Sequence, residues 1–282
     1  MSATNKRSIK QALAAVAAGA VLGLAALPAH AMLEWRVDAG VGQRFVICDA
    51  GGIGACVVPA GFVLVAGGDT NAAPEVISVN TTLINVLLTG KFDFTAAGAD
   101  DNILTAVLLA VINSSATVSV NTNGGGTQSI IIEATRDGWL IPLTNPRTLT
   151  NGPSATLTLT NPDNTSVLST GFNDGGNILF GTQFATPTSS FVAGVAPCSA
   201  IVGFVSTCSA LTGLGGIVEP NPYSLTNRQT ISAAGGNLGA TFLVTDASTK
   251  FGPQQQVPEP ASLLLLGAGL AALGFARRRK NP

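Results

Sequence analysis

The stretch TVSVNTNGGGTQSIIIEA, Thr117 to Ala134, holds two short strand-like runs separated by glycines. In TVSVN (Thr117 to Asn121) polar and apolar residues alternate, and QSIIIEA (Gln128 to Ala134) concentrates β-branched residues, the patterns of half-buried and buried strands. The TNGGG between them predicts a hairpin of the longer-loop kind. The same grammar recurs outward in both directions. Leu33 to Val37 and Arg44 to Cys48 read as strands beside glycine-rich turns, and neither glycine cluster completes a phosphate-binding GxGxxG or GK[ST] pattern. Glu75 to Thr95 (EVISVNTTLINVLLTGKFDFT) reads as period-two patterning broken at Thr89 and Gly90, with Phe92 and Phe94 on one face and Lys91 and Asp93 on the other.

Downstream, TLTLT (Thr156 to Thr160) alternates cleanly before the turn NPDNT, and NDGGN (Asn173 to Asn177) precedes the strand-like ILFGTQF. Tyr223 to Ser232 and Thr241 to Asp246 read as a closing hairpin around AAGGNLG. Asn102 to Ile112 (NILTAVLLAVI) fits a buried strand or a short helix. Residues 185–222, rich in proline and glycine, read as a long, loosely structured excursion. Short strands at intervals of roughly ten residues predict an all-β sandwich of antiparallel strands, with jelly-roll and Ig-like topologies both open. A β-solenoid would need a fixed period, and none emerges beyond a DAG unit repeated at Asp38 and Asp49.

The two ends have a different character. Residues 1–31 run from Lys6, Arg7 and Lys10 through the apolar Ala12 to Leu27 and finish on Ala29-His30-Ala31, the order of a secretory signal cleaved after Ala31. At the other end Ala261 to Ala276 carries no charge and would form a helix roughly 24 Å long, a little short of a ~30 Å hydrocarbon core. Arg277, Arg278, Arg279 and Lys280 follow at once, and such a cluster is retained on the cytoplasmic side, leaving the body outside. Pro258, Glu259 and Pro260 stand directly before the span, where two prolines enforce an extended peptide open to a processing enzyme.

Pro258-Glu259-Pro260, the short span and the Arg277 to Lys280 cluster together resemble the PEP-CTERM sorting signal of Gram-negative bacteria, over about the last 26 residues. The resemblance implies export, transient anchoring in the inner membrane, and recognition by an exosortase, a membrane cysteine transpeptidase that removes the tail. It also implies an association with exopolysaccharide and the cell-surface matrix. The expected organisation is therefore a signal peptide (1–31), an extracytoplasmic β-rich domain (32–250), a linker (251–256), and the sorting signal (257–282) with its membrane segment at 261–276.

Removing the targeting segments changes the charge. Between Met32 and Gln256 stand seven Lys or Arg and fourteen Asp or Glu, so the whole-chain balance of −1 hides a body near −7. Nucleic acid, which needs clustered cations, is not an expected partner. The four cysteines fall as Cys48 and Cys56, then Cys198 and Cys208; in an exported chain these predict two disulfides, with local pairing the simplest of three connectivities. Neither spacing is that of a zinc knuckle.

The one histidine, His30, lies in the signal peptide, which removes Ser-His-Asp and Cys-His mechanisms and histidine metal sites from the mature body. Carboxylates remain, and glycoside hydrolysis asks for two at the right separation. Asp100, Asp101, Glu133, Asp137 and Glu219 are available, with nothing in the sequence to pair any two. Calcium could find oxygen ligands in NDGGN and NPDNT, and a sugar could stack on Trp139 beside Arg136 and Asp137. The reading that results is a non-enzymatic, cofactor-free surface or matrix protein with a structural or adhesive role. A carboxylate-dependent glycan hydrolase or a calcium- or sugar-binding module is the alternative.

Overall fold

The computed structural model describes residues 32–50, 56–88, 90–102, 109–121, 127–140, 146–159, 165–233 and 240–253. Their regular structure is nearly all strand, gathered into two sheets. The first sheet runs in spatial order β10 (Phe184–Ala185), β9 (Ser166–Asp174), β14 (Tyr223–Ala233), β7 (Gln128–Trp139), β1 (Leu33–Asp38), β2 (Arg44–Cys48) and β3 (Val63–Leu64), with β11 (Ser189–Val192) also on β9. The second runs β12 (Val205–Ser209), β8 (Arg147–Thr158), β15 (Thr241–Pro253), β6 (Ala110–Val120), β5 (Phe92–Asp101) and β4 (Val76–Ser78), with β13 (Thr212–Ile217) also on β8. Among the described residues every strand pairing is antiparallel except that of β2 with β3.

The two runs flanking TNGGG do not form the expected hairpin. β6 lies between β15 and β5 in the second sheet, whereas β7 lies between β14 and β1 in the first. The two strands face each other across the core. Val118 and Val120 of β6 and Ile130, Ile132 and Ala134 of β7 are all buried there, so each strand satisfies its apolar face without pairing with the other. The expected closing hairpin meets the same outcome, with β14 in the first sheet and β15 in the second. Sheets pack about 10 Å apart, a gap that a connection of several residues spans. Hydrogen-bonded hairpins do occur between β1 and β2 and between β5 and β6.

One apolar cluster joins the inner faces: Leu33, Trp35 and Val37 of β1, Phe92 and Phe94 of β5, Leu149 and Leu157 of β8, and Phe242, Val244 and Phe251 of β15. Trp35 meets Phe94 edge-on at 5.7 Å, and Tyr223 meets Phe251 at 5.0 Å. Between β9, β14, β8 and β15 the filling turns polar. Asn227 donates to Asn151 Oδ1 at 3.1 Å and to Thr249 Oγ1 at 3.0 Å, and Asn151 donates to Ser169 Oγ at 3.1 Å. The layers close tightly there, since a Cβ on Gly171 would stand 2.8 Å from both γ atoms of Thr249.

Three further expectations change. Within Glu75 to Thr95 the segment Thr81–Leu87 is a helix, α1, whose first turn is capped by Asn80 Oδ1 accepting from the Leu83 amide at 3.2 Å. Ile84 and Leu88, four residues apart, bury one stripe of it, a helical spacing that overrides the β-branched composition. Residues 185–222 are not a loose excursion, because β11, β12 and β13 within them pair with β9 and β8. ILFGTQF yields turns and only the short β10. Most of Asn102 to Ile112, the signal residues Ala29 and Ala31 and the span at 261–276 lie outside the described residues. Among the described residues no helix is long and apolar enough to cross a membrane.

Candidate functional site

The outer face of the first sheet carries an ion-pair ladder. Antiparallel register sets Arg36 of β1 and Arg228 of β14 directly opposite Glu133 of β7, on either side of it. Arg36 Nε donates to Glu133 Oε2, and Arg228 Nε donates to Oε1 at 2.5 Å. Aromatic rings cover the guanidiniums: Phe180 at 3.7 Å and Phe62 at 5.1 Å from Arg36, and Phe172 at 4.7 Å from Arg228. Glu133 is left 2% exposed. The Phe180 amide donates to Thr135 Oγ1 and the Ser224 hydroxyl to the Ile178 carbonyl, which fastens residues 178–180 over this face.

One rung along, Glu34 of β1 stands opposite Cys48 of β2 and Thr135 of β7. Its side chain is fully buried; Oε1 accepts from the Val57 amide at 2.8 Å, and Oε2 has no hydrogen-bond partner. Burial, reinforced by nearby Asp137 and opposed by the Val57 amide and Arg36, holds the Glu34 carboxyl up at about 7.

A second buried acid lies at the end of the sandwich where β9 stops. Glu219, 3% exposed, sits beside Asn173, Asp174 and Arg147. Neither of its oxygens meets hydrogen-bond geometry, although the Gly175 amide and the Asn173 side chain stand close enough to pull the carboxyl down. Burial and then the Asp174 charge dominate and raise it to about 7. Arg147 lies 5.6 Å from the rings of both Tyr223 and Phe251, and burial pushes the Tyr223 hydroxyl above its ordinary value.

The five acids offered by the sequence are thus dispersed. Asp100 is exposed and accepts from Asn113 at 2.8 Å; Asp101 pairs with Arg136 at 2.9 Å; Glu133 is clamped by two arginines; Asp137 and Glu219 are buried beside different acids, Glu34 and Asp174. Glu34 and Arg147 were not singled out from sequence, and Asp174 only as an oxygen donor of NDGGN. Glu34 had a signal, since the alternation of LEWRVD sets Glu34 and Arg36 on the face opposite Trp35.

Trp139 is fully buried, as are Trp35 and Tyr223, so Trp139 offers a sugar no platform. The NDGGN turn turns its oxygens on itself and its neighbour: Asp174 Oδ1 accepts from the Gly176 amide and Asn177 Oδ1 from the Gly138 amide. NPDNT lies almost wholly outside the described residues. Both disulfides form as expected, Cys48 with Cys56 and Cys198 with Cys208. Pro258, Glu259, Pro260 and the cluster Arg277, Arg278, Arg279 and Lys280 fall outside the described residues.

No curated protein matches the chain. Among solved structures, the enzymatically active domain of tailspike protein 4 from bacteriophage CBA120 is 14% identical with a TM-score of 0.27, over 68% of this chain and 24% of that one. The chain therefore spans about a quarter of the tailspike domain's length. The carbohydrate-binding module TmCBM27, which recognises mannan, is 5% identical with a TM-score of 0.28, over 57% of this chain and 88% of the module. The CBM22-1 xylan-binding domain of Xyn10C from Paenibacillus barcinonensis is 9% identical with a TM-score of 0.24, over 66% and 87% respectively. Likeness at these scores transfers neither fold nor function. The tail is different: residues 256–280 match the family model of the PEP-CTERM protein-sorting motif, and the C-terminal end of this chain is a PEP-CTERM sorting signal.

Proposed function

We propose that this is a non-enzymatic protein of the cell surface or extracellular matrix, structural or adhesive within an exopolysaccharide layer. The observation that carries the reading is the PEP-CTERM motif at 256–280, which implies export, a transient hold at the inner membrane and an exosortase as processing partner. The body's chemistry supports the structural role. Apart from the exposed Asp100, its candidate acids are engaged in ion pairs, as Glu133 and Asp101 are, or buried, as Asp137 and Glu219 are, and Glu34 is buried too.

The body's two lysines, Lys91 and Lys250, are both exposed, which makes location directly measurable. Intact cells treated with a membrane-impermeant amine reagent should label both, and a strain without its exosortase should accumulate the chain with its tail attached. A body protected from label until lysis would refute surface delivery. Turnover of the host polysaccharide, abolished by a single acid substitution, would refute the non-enzymatic role.

A further inference from the structure

We propose that the Cys48–Cys56 disulfide is an exchangeable bond, opened by an incoming thiol, and that the Glu34 carboxyl is the acid that protonates its departing sulfur.

Geometry comes first. Glu34 and Cys48 are cross-strand partners, and a carboxylate oxygen of Glu34 and the Sγ atoms of Cys48 and Cys56 all lie within 4.8 Å of one another. As a bonded pair the sulfurs are not thiolate ligands, so the three groups are no metal centre in this state. The disulfide lines a cavity of ≈ 210 Å³ together with Ala50, Leu64 and Asp69, and both cysteines are partly exposed, so a nucleophile has a line of approach. Glu34 itself is sealed from water, and one of its oxygens has no other partner. A sealed carboxyl held at about 7 carries its proton below neutral pH and is half protonated near it, close to the atom on which negative charge develops.

The step balances. An incoming thiolate attacks one sulfur and forms a mixed disulfide; the electron pair of the Cys48–Cys56 bond passes to the other sulfur, which takes the proton from Glu34 and leaves a carboxylate. When the reagent is a dithiol, its second thiol displaces the first cysteine, so the reagent is oxidised to its disulfide and the cysteine pair is reduced by two electrons. Cys198–Cys208 provides a contrast within the same molecule. No Asp, Glu, Lys or Arg occurs between Gly175 and Val218, and β8 opposes Cys208 with the uncharged Ser154 to Thr158.

The test uses the oxidised full chain in detergent, dithiothreitol as the thiol, and alkylation of freed cysteines read by peptide mass spectrometry. Rates are normalised to thiolate concentration between pH 6 and pH 8. Cys48–Cys56 is expected to open first, with its normalised rate rising as pH falls. Glu34→Gln should abolish that rise and slow opening at pH 6 on the order of tenfold, the low end below a typical general-acid contribution, while leaving Cys198–Cys208 unchanged. Equal opening of the two disulfides in the native chain overturns the proposal without any variant. So does a Glu34→Gln chain that opens at the native rate at every pH.

Discussion

The two buried glutamates predict a stability that falls as pH rises through the weakly acidic range. Glu34 and Glu219 each have an ordinary value of 4.5 and stand at about 7 in the fold. Below pH 4.5 both the folded and unfolded chains hold these protons. Between 4.5 and about 7 the unfolded chain releases them and the folded chain keeps them, so unfolding gains about 1.4 kcal/mol per pH unit at each site. Over the whole interval that is about 3 kcal/mol per site, a large share of the roughly 5–15 kcal/mol that holds a domain together. The charges facing each acid are Asp137 and Arg36 at Glu34, and Asp174 and Arg147 at Glu219. Urea unfolding at half-unit steps from pH 5 to 7.5 should show the decline in the native chain. Glu219→Gln should remove about half of it, since an amide has no proton to lose, and Glu34→Gln the other half. Stability that is flat or rising over this range, or a slope that Glu219→Gln leaves intact, refutes the assignment of two buried neutral carboxyls.

Two other substitutions probe the fold. Glu133→Gln removes the shared partner of Arg36 and Arg228 and strands two guanidiniums against a covered sheet face, which should cost about 3 kcal/mol in chemical denaturation and resist rescue by salt. Phe204→Gly should raise stability. Val202 and Val205 bond each other's backbones around Gly203 (φ 57°) and Phe204 (φ 67°), a turn whose positive φ values favour glycine, and Phe204 is 62% exposed. Relief of about 1–2 kcal/mol of left-handed strain outweighs the added chain entropy of glycine, and a lowered melting temperature would contradict it.

Strands were more legible than their neighbours. Alternation marks which residues of a strand face the core, and it located β1, β2 and the C-terminal end of β8 closely, because burial on one face is a local property of the pattern. It does not say whether the opposing apolar face belongs to a paired strand or to one stacked across the core. That is why β6 with β7, and β14 with β15, read as hairpins and are in fact separated into opposite sheets. Helix α1 was obscured by Thr81, Thr82 and Ile84, whose β preference yields to a capped turn and a buried stripe. The disulfides were legible because two short spacings in an exported chain leave local closure as the simplest pairing. The burial of Glu34 and Glu133 was illegible for a different reason. They do point away from the core, but the covering chain around Val57, Phe62 and Phe180 arrives from distant segments, and nothing in LEWRVD or QSIIIEA announces it.

The sheet register also fixes which end of the body adjoins the tail. β15 runs antiparallel to β8, pairing Thr241 with Thr158 at one end and Pro253 with Arg147 at the other. Val205 of β12 pairs with the same Thr158, so the turn at Gly203 and Phe204, closed behind by Cys198–Cys208, sits at the Thr241 end. Thirteen strand residues at about 3.3 Å each separate that end from Pro253 by roughly 40 Å. Only Gln254 and Gln255 intervene between Pro253 and the sorting motif that begins at residue 256, so the Pro253 end of the body is the end that adjoins the tail. The exposed Val202 and Phe204 stand at the other end of β15, where Phe204 holds a left-handed φ of 67° and buries little.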